Sequence, residues 1–240
     1  VVLNRIDGHA LMANKRAILT AKINPDTTIY GGHIEIINHE LTGIFVDNAM
    51  DLILNHVPIP SEETNKKALI TAQNACFSLG LTTVDIAGLT KGSVELIDKL
   101  HNSEELKIKT YIMLTDNEEN FNHYVINLNG PIKTKKMNVR SFKFFADGSL
   151  GSRGACLINP YLDNQRTHGQ LLQNIDTFNT KLNTLKLYGF QACTHAIGDS
   201  ANRIITSSYA NVLSGSNDLR WRIEHVQSVS YTHLRAHETG

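Results

Sequence analysis

The sequence predicts an α/β fold built from parallel βαβ units. From about residue 60 onward, strand-like segments alternate with segments of helical spacing, which is the order that parallel sheets require. His195 and His225 each end a short apolar, strand-like segment, and their separation of 30 residues is about the length of one βαβ unit. Two consecutive parallel strands would therefore bring one imidazole each to the same edge of a sheet. Five such strands fit either an open sheet or part of a barrel, but the chain has no G-x-G-x-x-G or P-loop motif for nucleotide binding.

Five strands and four helices are predicted between residues 61 and 225. The first helix has Ser61 as its N-cap and acidic residues in its first turn, and it stops at Gly80. Apolar residues at helical spacing predict further helices at 93–100, 175–188 and 199–213. Apolar and β-branched segments predict strands at 81–87, 108–114, 139–145, 190–194 and 221–225.

The first sixty residues do not share this alternation. They contain the stretch 7–10 (DGHA), a glycine pair at 31–32 and an apolar segment at 41–45. Asp-Gly and Gly-Gly steps of this kind are typical of turns and short irregular segments. We therefore expect residues 1–60 to form an irregular N-terminal insertion, either above a barrel or as a cap over its site.

The composition is that of a soluble globular protein. Hydrophobic residues make up 41% and charged residues 19% of the 240 residues, with 23 basic and 23 acidic side chains. This balance indicates no nucleic acid or anionic membrane as a partner, and the apolar runs are too short to predict a membrane-spanning segment. The three cysteines are too widely spaced for a disulfide framework. The chain starts without Met, so the compartment is left open.

Two further features suggest chemistry. Lys143 lies between aromatic residues in a predicted apolar strand. It either points to a rim or is buried with a depressed pKa, and a buried neutral amine can react with carbon dioxide to form a carbamate. The glycine-rich loop at 147–154 follows directly, and its Asp147 and Arg153 either bind a substrate or hold the loop. Neutral imidazoles such as His195 and His225 are common ligands of divalent metals, although a strand-ending histidine often serves only a local hydrogen bond.

Three residues give weaker signals. Asp199 opens a helix, so an N-cap role is the default interpretation. Asp85 lies near the end of a predicted strand and either orients a ligand or belongs to a turn. His9 has no partner at a recognisable spacing.

Together these motifs resemble the amidohydrolase superfamily, specifically the family 3 branch of metal-dependent amidohydrolases. The resemblance runs from residue 1 to about residue 230, and the lysine–DGS, HAIGD and RIEH motifs in this order are specific. The matching stretches are RIDGHA at 5–10 with Asn14, GG at 31–32 with TG at 42–43, GLTTV at 80–84, KFFADGSLGSR at 143–153, THAIGD at 194–199 with Ala201 and Asn202, and RIEH at 222–225 with Gln227.

The resemblance implies a TIM-like (β/α)8 barrel with a metal centre. Lys143 matches the family's carbamylated bridging lysine, and His195 and His225 match the histidines of the fifth and sixth strands. The cofactors implied are one or two divalent metal ions, with zinc foremost, and carbon dioxide as the lysine carbamate. The family's His-x-His pair and eighth-strand aspartate have no counterpart here. We therefore expect a partial barrel, an internal fragment that holds about the second to sixth strands and is inactive alone.

The function implied is hydrolysis of a carbon–nitrogen bond in a small, non-peptide amide by a metal-activated water. The alternatives are an inactive barrel fragment or a related metal-dependent esterase or lactonase. Candidate substrate-binding residues are His9, Asp147 and Arg153, and a homo-oligomer is left open.

Three segments are expected along the chain. Residues 1–60 are the insertion or cap, and residues 61–230 are the partial barrel. Residues 231–240 resemble translated adapter or cloning sequence, so His233 and His237 are discounted as a metal pair.

Overall fold

The computed structural model describes residues 1–229 and contains two sheets. The predicted foreign tail, 231–240, lies outside the described residues. The strands are β1 (Val2–Asn4), β2 (Ala10–Ala13), β3 (Gly32–Ile37), β4 (Glu40–Asp47), β5 (Thr83–Leu89), β6 (Lys109–Thr115), β7 (Ile132–Lys133), β8 (Met137–Phe145), β9 (Gln191–Ala196) and β10 (Arg222–His225). The helices are α1 (Lys15–Thr20), α2 (Asp51–Leu54), α3 (Glu62–Ser78), α4 (Lys91–Asn102), α5 (Glu118–Asn120), α6 (Ile175–Leu187) and α7 (Asp199–Val212).

Residues 1–60 are more regular than the turns and short pieces suggested by their sequence. Strands β1 to β4 form an antiparallel sheet in the order β1-β2-β4-β3, which packs on its own apolar cluster around Leu11, Phe45 and Ile53. Gly43 has a φ of 97°, and a Cβ there would lie 2.5 Å from the carbonyl oxygen of Ala13. Glycine at position 43 therefore permits the close approach of β4 to β2. In the sequence this glycine suggests a turn, but in the structure it lies inside a strand.

The five-stranded parallel sheet is curled like half of a barrel, as the predicted fold class requires. Its order is β10-β9-β8-β6-β5, and the short β7 pairs antiparallel with β8. The edge strands lie four intervals apart, which in a flat sheet is roughly 19 Å. Yet Arg222 of β10 contacts Asp85 of β5 with a nitrogen–oxygen distance of 3.2 Å. Two side chains cannot span a flat sheet of that width, so the sheet curls around its polar interior.

The helices lie against the other face of this sheet, which holds the main apolar core. Phe142 and Phe144 of β8 pack edge-on against Phe190 and Phe178, with ring centroids 5.3 Å apart in both pairs. The predicted strands and helices between residues 61 and 225 are confirmed, with bounds within about two residues. Among residues 1–229, no helix combines the length and apolar character that crossing a membrane requires.

Candidate metal centre

Lys143 faces the concave side of the half-barrel. Alternation along β8 buries Phe142 and Phe144 in the helix-side core, so Lys143 and Phe145 point the other way. The Lys143 side chain is buried, its Nζ lies 3.6 Å from the centroid of the Phe145 ring, and it donates to the carbonyl oxygen of Phe144 at 3.2 Å. No carboxylate of residues 1–229 forms an ion pair with it. Burial lowers its pKa to about 8, against the opposing effect of the Glu224 charge.

His195 lies beside Lys143 on the same face. Strand β9 pairs with β8 so that Cys193 is level with Lys143 and His195 is level with Phe145. The His195 ring is buried, and its Nε2 lies 3.1 Å from the carbonyl oxygen of Gly148. Because a carbonyl only accepts, Nε2 carries the hydrogen and Nδ1 keeps a free lone pair. Burial lowers the pKa of His195 to about 3, so the ring is neutral at pH 7, the form that binds metals.

His225 reaches the same place through an unusual backbone conformation. It pairs with Ala196, so regular pleating would direct it away from His195. Its φ is 77°, however, and the His195 and His225 ring centroids lie 4.7 Å apart. A non-glycine residue in this region costs about 1–3 kcal/mol, a strain that is typical of functional sites. Burial lowers the pKa of His225, and the positive charge of Lys143 lowers it further.

The N-terminal sheet adds His9 to this cluster. His9 lies just before β2, and its ring centroid is 4.9 Å from that of His195. Its Nδ1 lies 2.8 Å from Oδ1 of Asp47, the last residue of β4. Asp47 is not among the residues that the sequence motifs single out. The available signal was an acidic residue directly after the apolar strand segment 44–46.

Asp147 lies inside the loop, with its Oδ1 3.5 Å from Nε2 of His195. It does not lie on the concave side of the half-barrel beside His195 and His225, which is called the cleft. Its buried carboxylate accepts hydrogen bonds from the backbone N–H groups of Ile197, Gly198 and Cys156, at 2.8 to 2.9 Å. Burial raises its pKa to about 6, although these three hydrogen bonds oppose the rise. The contacts favour the loop-holding alternative for Asp147, because both oxygens are already engaged.

The glycine-rich loop joins the N-terminal sheet to the half-barrel. A Cβ on either Gly148 or Gly154 would overlap the Asp47 carboxylate, so both positions allow the close approach of that side chain. Ser149 accepts a hydrogen bond from Arg5 at 3.0 Å. The loop therefore fixes His9 and Asp47 relative to His195, whose ring it also holds through the carbonyl of Gly148.

Arg153 lies apart from the histidines. Its guanidinium forms an exposed ion pair with Asp163 at 2.9 Å. It also lines a cavity of about 380 Å³ between the N-terminal sheet and the loop, together with Arg5, His33 and Glu35. The described contacts do not link Arg153 to His195 or His225.

Asp85 of β5 belongs to a group of charged side chains, with Arg222 and Glu224 of β10, that connects the two edge strands of the half-barrel. Arg222 donates to Glu224 at 2.6 Å and to Asp85 at 3.2 Å. Asp85 lies within β5 and not in a turn, and its described partner is the arginine. Asp199 opens α7 and accepts hydrogen bonds from the backbone N–H groups of Ser200 and Ile158.

These donors fit a metal ion only if Lys143 becomes a ligand. Within residues 1–229, no three or more His, Cys, Asp or Glu side chains are grouped so as to hold a metal. The ends of β8, β9 and β10 offer two imidazoles and a buried amine that has no acidic partner among residues 1–229. A third imidazole, that of His9, lies beside them, with its Nδ1 engaged by Asp47. A protonated lysine repels a cation, whereas its carbamate supplies anionic oxygens. The buried setting of Lys143 and the free Nδ1 of His195 are compatible with such a centre.

A family model and two known proteins match most of this chain. A family model described as "Amidohydrolase family" matches residues 1–238. "Putative amidohydrolase YtcJ" of Bacillus subtilis (strain 168) is 30% identical over 208 residues, which cover 84% of this chain and 39% of that protein. "Protein LONG AFTER FAR-RED 3" of Arabidopsis thaliana is 27% identical over 244 residues, covering 96% of this chain and 42% of that protein.

Two crystal structures share the fold. Both are described as uncharacterized metal-dependent hydrolases. The protein from Pyrococcus furiosus has a TM-score of 0.72 and 26% identity, with 95% of this chain and 46% of that chain covered. The protein from Pyrococcus horikoshii OT3 has a TM-score of 0.74 and 22% identity, covering 98% and 46%, and supports the fold alone. The chain thus spans less than half the length of these relatives.

Proposed function

Because the chain belongs to the amidohydrolase family, we propose that the full-length protein is a metal-dependent hydrolase of carbon–nitrogen bonds in small non-peptide amides. The observation that carries the proposal is the meeting of Lys143, His195 and His225 at the ends of three neighbouring parallel strands. Active sites of α/β barrels lie at this end of the strands. The P. furiosus structure, described as a metal-dependent hydrolase, supports the same class.

His195 and His225 are the proposed nitrogen ligands of a divalent metal. His195 is buried and neutral, and the carbonyl of Gly148 fixes its tautomer in the way that outer-shell groups orient metal-binding histidines. The strained φ of His225 directs its ring toward the same point. We propose zinc, in one or two ions, because zinc is commonly bound by imidazole nitrogens.

Lys143 is the proposed anionic ligand after reaction with carbon dioxide. The neutral amine nitrogen attacks the carbon of carbon dioxide, one proton leaves to water, and a carbamate remains whose single negative charge is shared by its two oxygens. Burial against the Phe145 ring and a pKa of about 8 favour the neutral amine that this step needs.

A divalent metal bound at such a rim lowers the pKa of water and polarises a carbonyl oxygen, which is the chemistry of hydrolysis. The residues of this chain would hold the ion and exclude solvent from one side of it. Phe145 contributes to that exclusion, since its ring packs 5.4 Å from the His195 ring and against Lys143. Of the candidate substrate-binding residues, His9 is adjacent to the cleft. Asp147 and Arg153 are the other two proposed substrate-binding residues. Oδ1 of Asp147 lies 3.5 Å from Nε2 of His195, whereas Arg153 pairs with Asp163.

The lysine provides the sharpest test. In the full-length protein with zinc and bicarbonate, Lys143→Ala is expected to lose most amide hydrolysis, and short carboxylic acids such as acetate are expected to restore part of it. Lys109→Ala, at an exposed position of β6, is the matched control and should keep full activity. Full activity of Lys143→Ala would overturn the assignment.

The bond cleaved is tested separately. The wild-type protein is assayed on matched amides, esters and lactones of the same acids. Faster turnover of esters or lactones than of amides would replace the amidase proposal with the esterase or lactonase alternative. Absence of bound metal after dialysis, together with no turnover of any of them, would overturn the hydrolase proposal.

A further inference from the structure

His9 is placed to act on whatever occupies the cleft beside the histidine pair. Its ring lies 4.9 Å from that of His195. It comes from the N-terminal sheet, whereas the other two histidines come from the half-barrel. One side of the cleft is therefore formed by His9 of the N-terminal sheet and not by the strands of the half-barrel.

Asp47 fixes the tautomer of His9. The distance from His9 Nδ1 to Asp47 Oδ1 is 2.8 Å, and a carboxylate can only accept a hydrogen bond, so Nδ1 carries the hydrogen. The backbone N–H of Asp47 also donates to the carbonyl oxygen of His9 at 3.2 Å. These two contacts hold the ring in one orientation, and in the neutral form of the ring they leave the lone pair on Nε2.

Burial of the Asp47 carboxylate is less favourable than burial of a neutral side chain that links the same two strands would be. The side chain of Asp47 is fully buried, and its Oδ2 has no hydrogen-bond partner among residues 1–229. Gly148 and Gly154 pack so closely on this carboxylate that a Cβ at either position would overlap it. Burying a carboxylate with one unpaired oxygen is unfavourable. A neutral side chain could hold two strands together, so the charge is best explained by its effect on His9.

The second nitrogen of His9 remains open. Within the described residues, no backbone or side-chain group forms a hydrogen bond with Nε2, and this atom is not among the buried unpaired ones. The His9 side chain is 14% exposed, so a ligand in the cleft can reach it. In the neutral ring with its hydrogen on Nδ1, Nε2 is an acceptor and recognises a donor.

We infer that Asp47 positions His9 as a hydrogen-bond acceptor for the N–H of the substrate, so that the site prefers primary and secondary amides to fully N-substituted amides. The inference rests on the proposed function for the identity of the substrate as an amide. The fixed tautomer and the preference for an N–H donor do not depend on turnover. In this arrangement His9 contacts the substrate, and Asp47 is a positioning residue.

The first test measures the tautomer in the full-length protein by ¹⁵N NMR with labelled histidine. The wild-type protein is expected to show His9 with a protonated Nδ1 and an unprotonated Nε2. In Asp47→Ala this preference should be lost. A wild-type His9 with hydrogen on Nε2 would overturn the inference.

The second test compares an N-methyl amide with the N,N-dimethyl amide of the same acid. The wild-type kcat/KM should favour the N-methyl amide by at least about tenfold, because the dimethyl amide leaves the acceptor without a donor. His9→Phe should bring the ratio close to one, and His9→Gln, which keeps an acceptor, should restore part of it. His56→Phe, at an exposed position just after α2, is the control and should keep the wild-type ratio. An unchanged ratio in His9→Phe would overturn the inference.

Binding measurements test the role of His9 even if the protein does not hydrolyse amides. If the wild-type protein hydrolyses neither amide, the proposed function fails, and the inference is then judged by binding. N-methylacetamide should shift the Nε2 signal of His9, and N,N-dimethylacetamide should not. Equal shifts from both compounds would overturn it.

Discussion

Replacing Lys143 by Met in the metal-free protein should increase stability at neutral pH. Lys143 has a pKa of about 8 in the fold against an ordinary value of 10.5. A shift of 2.5 units corresponds to about 3.4 kcal/mol that the buried ammonium costs at pH 7. The contact with the Phe145 ring offsets about 0.5–2 kcal/mol of this cost. We therefore predict that Lys143→Met, which keeps the apolar stem, stabilises the apoprotein by about 1–3 kcal/mol.

The sign of the pH dependence provides a second check. The folded pKa is lowered, so between about pH 8 and 10.5 the unfolded chain binds a proton that the folded protein has lost, and wild-type stability rises with pH. The advantage of Lys143→Met should fall to less than half of its pH 7 value by about pH 9.5. Urea unfolding of the EDTA-treated proteins measures this difference, with Lys109→Met as an exposed control. A Lys143→Met protein that is less stable than the wild type at pH 7, or whose advantage does not change with pH, would show that the Lys143 ammonium is not buried at a cost.

Two further predictions concern the loop that links the two sheets. Gly154→Ala should destabilise the protein by about 1–3 kcal/mol in urea unfolding, because its Cβ overlaps the Asp47 carboxylate, whereas Gly151→Ala meets no atom within 4 Å and should be nearly neutral. Equal stability of the two variants would contradict the packing described. Asp147→Ala should cost about 3 kcal/mol or more, since three backbone N–H groups lose their acceptor. Asp163→Ala, which removes only an exposed ion pair, should cost less than about 1 kcal/mol, and a similar loss in both variants would argue against the loop-holding role.

The half-barrel could be predicted from the sequence because its signals are local. Each strand of the parallel sheet is a short apolar segment followed by an amphipathic helix, and the parallel order then brings the strand ends together. That order alone predicts that Lys143 and His195 share one edge. It does not predict the φ of 77° that directs His225 toward them, because that conformation depends on how the chain leaves β10.

The N-terminal sheet and the contacts of His9 could not be predicted in the same way. The pairing of β1 with β2 and of β2 with β4 is antiparallel and uses short strands with glycine in unexpected places. Asp47 becomes significant only when β4 packs against the loop at 147–154, about 100 residues later in the chain. Such long-range packing leaves no periodic pattern in either segment.

The central claim is that Lys143, His195 and His225 hold a metal ion, and anomalous X-ray diffraction tests it most directly. Crystals of the full-length protein are grown with zinc and bicarbonate, and data are collected on both sides of the zinc absorption edge. We expect an anomalous peak about 2.0–2.2 Å from a ring nitrogen of His195 or His225, with a carbamate on Lys143 as a further ligand. A zinc peak at another place in the protein, or no peak beside an unmodified Lys143, would contradict it.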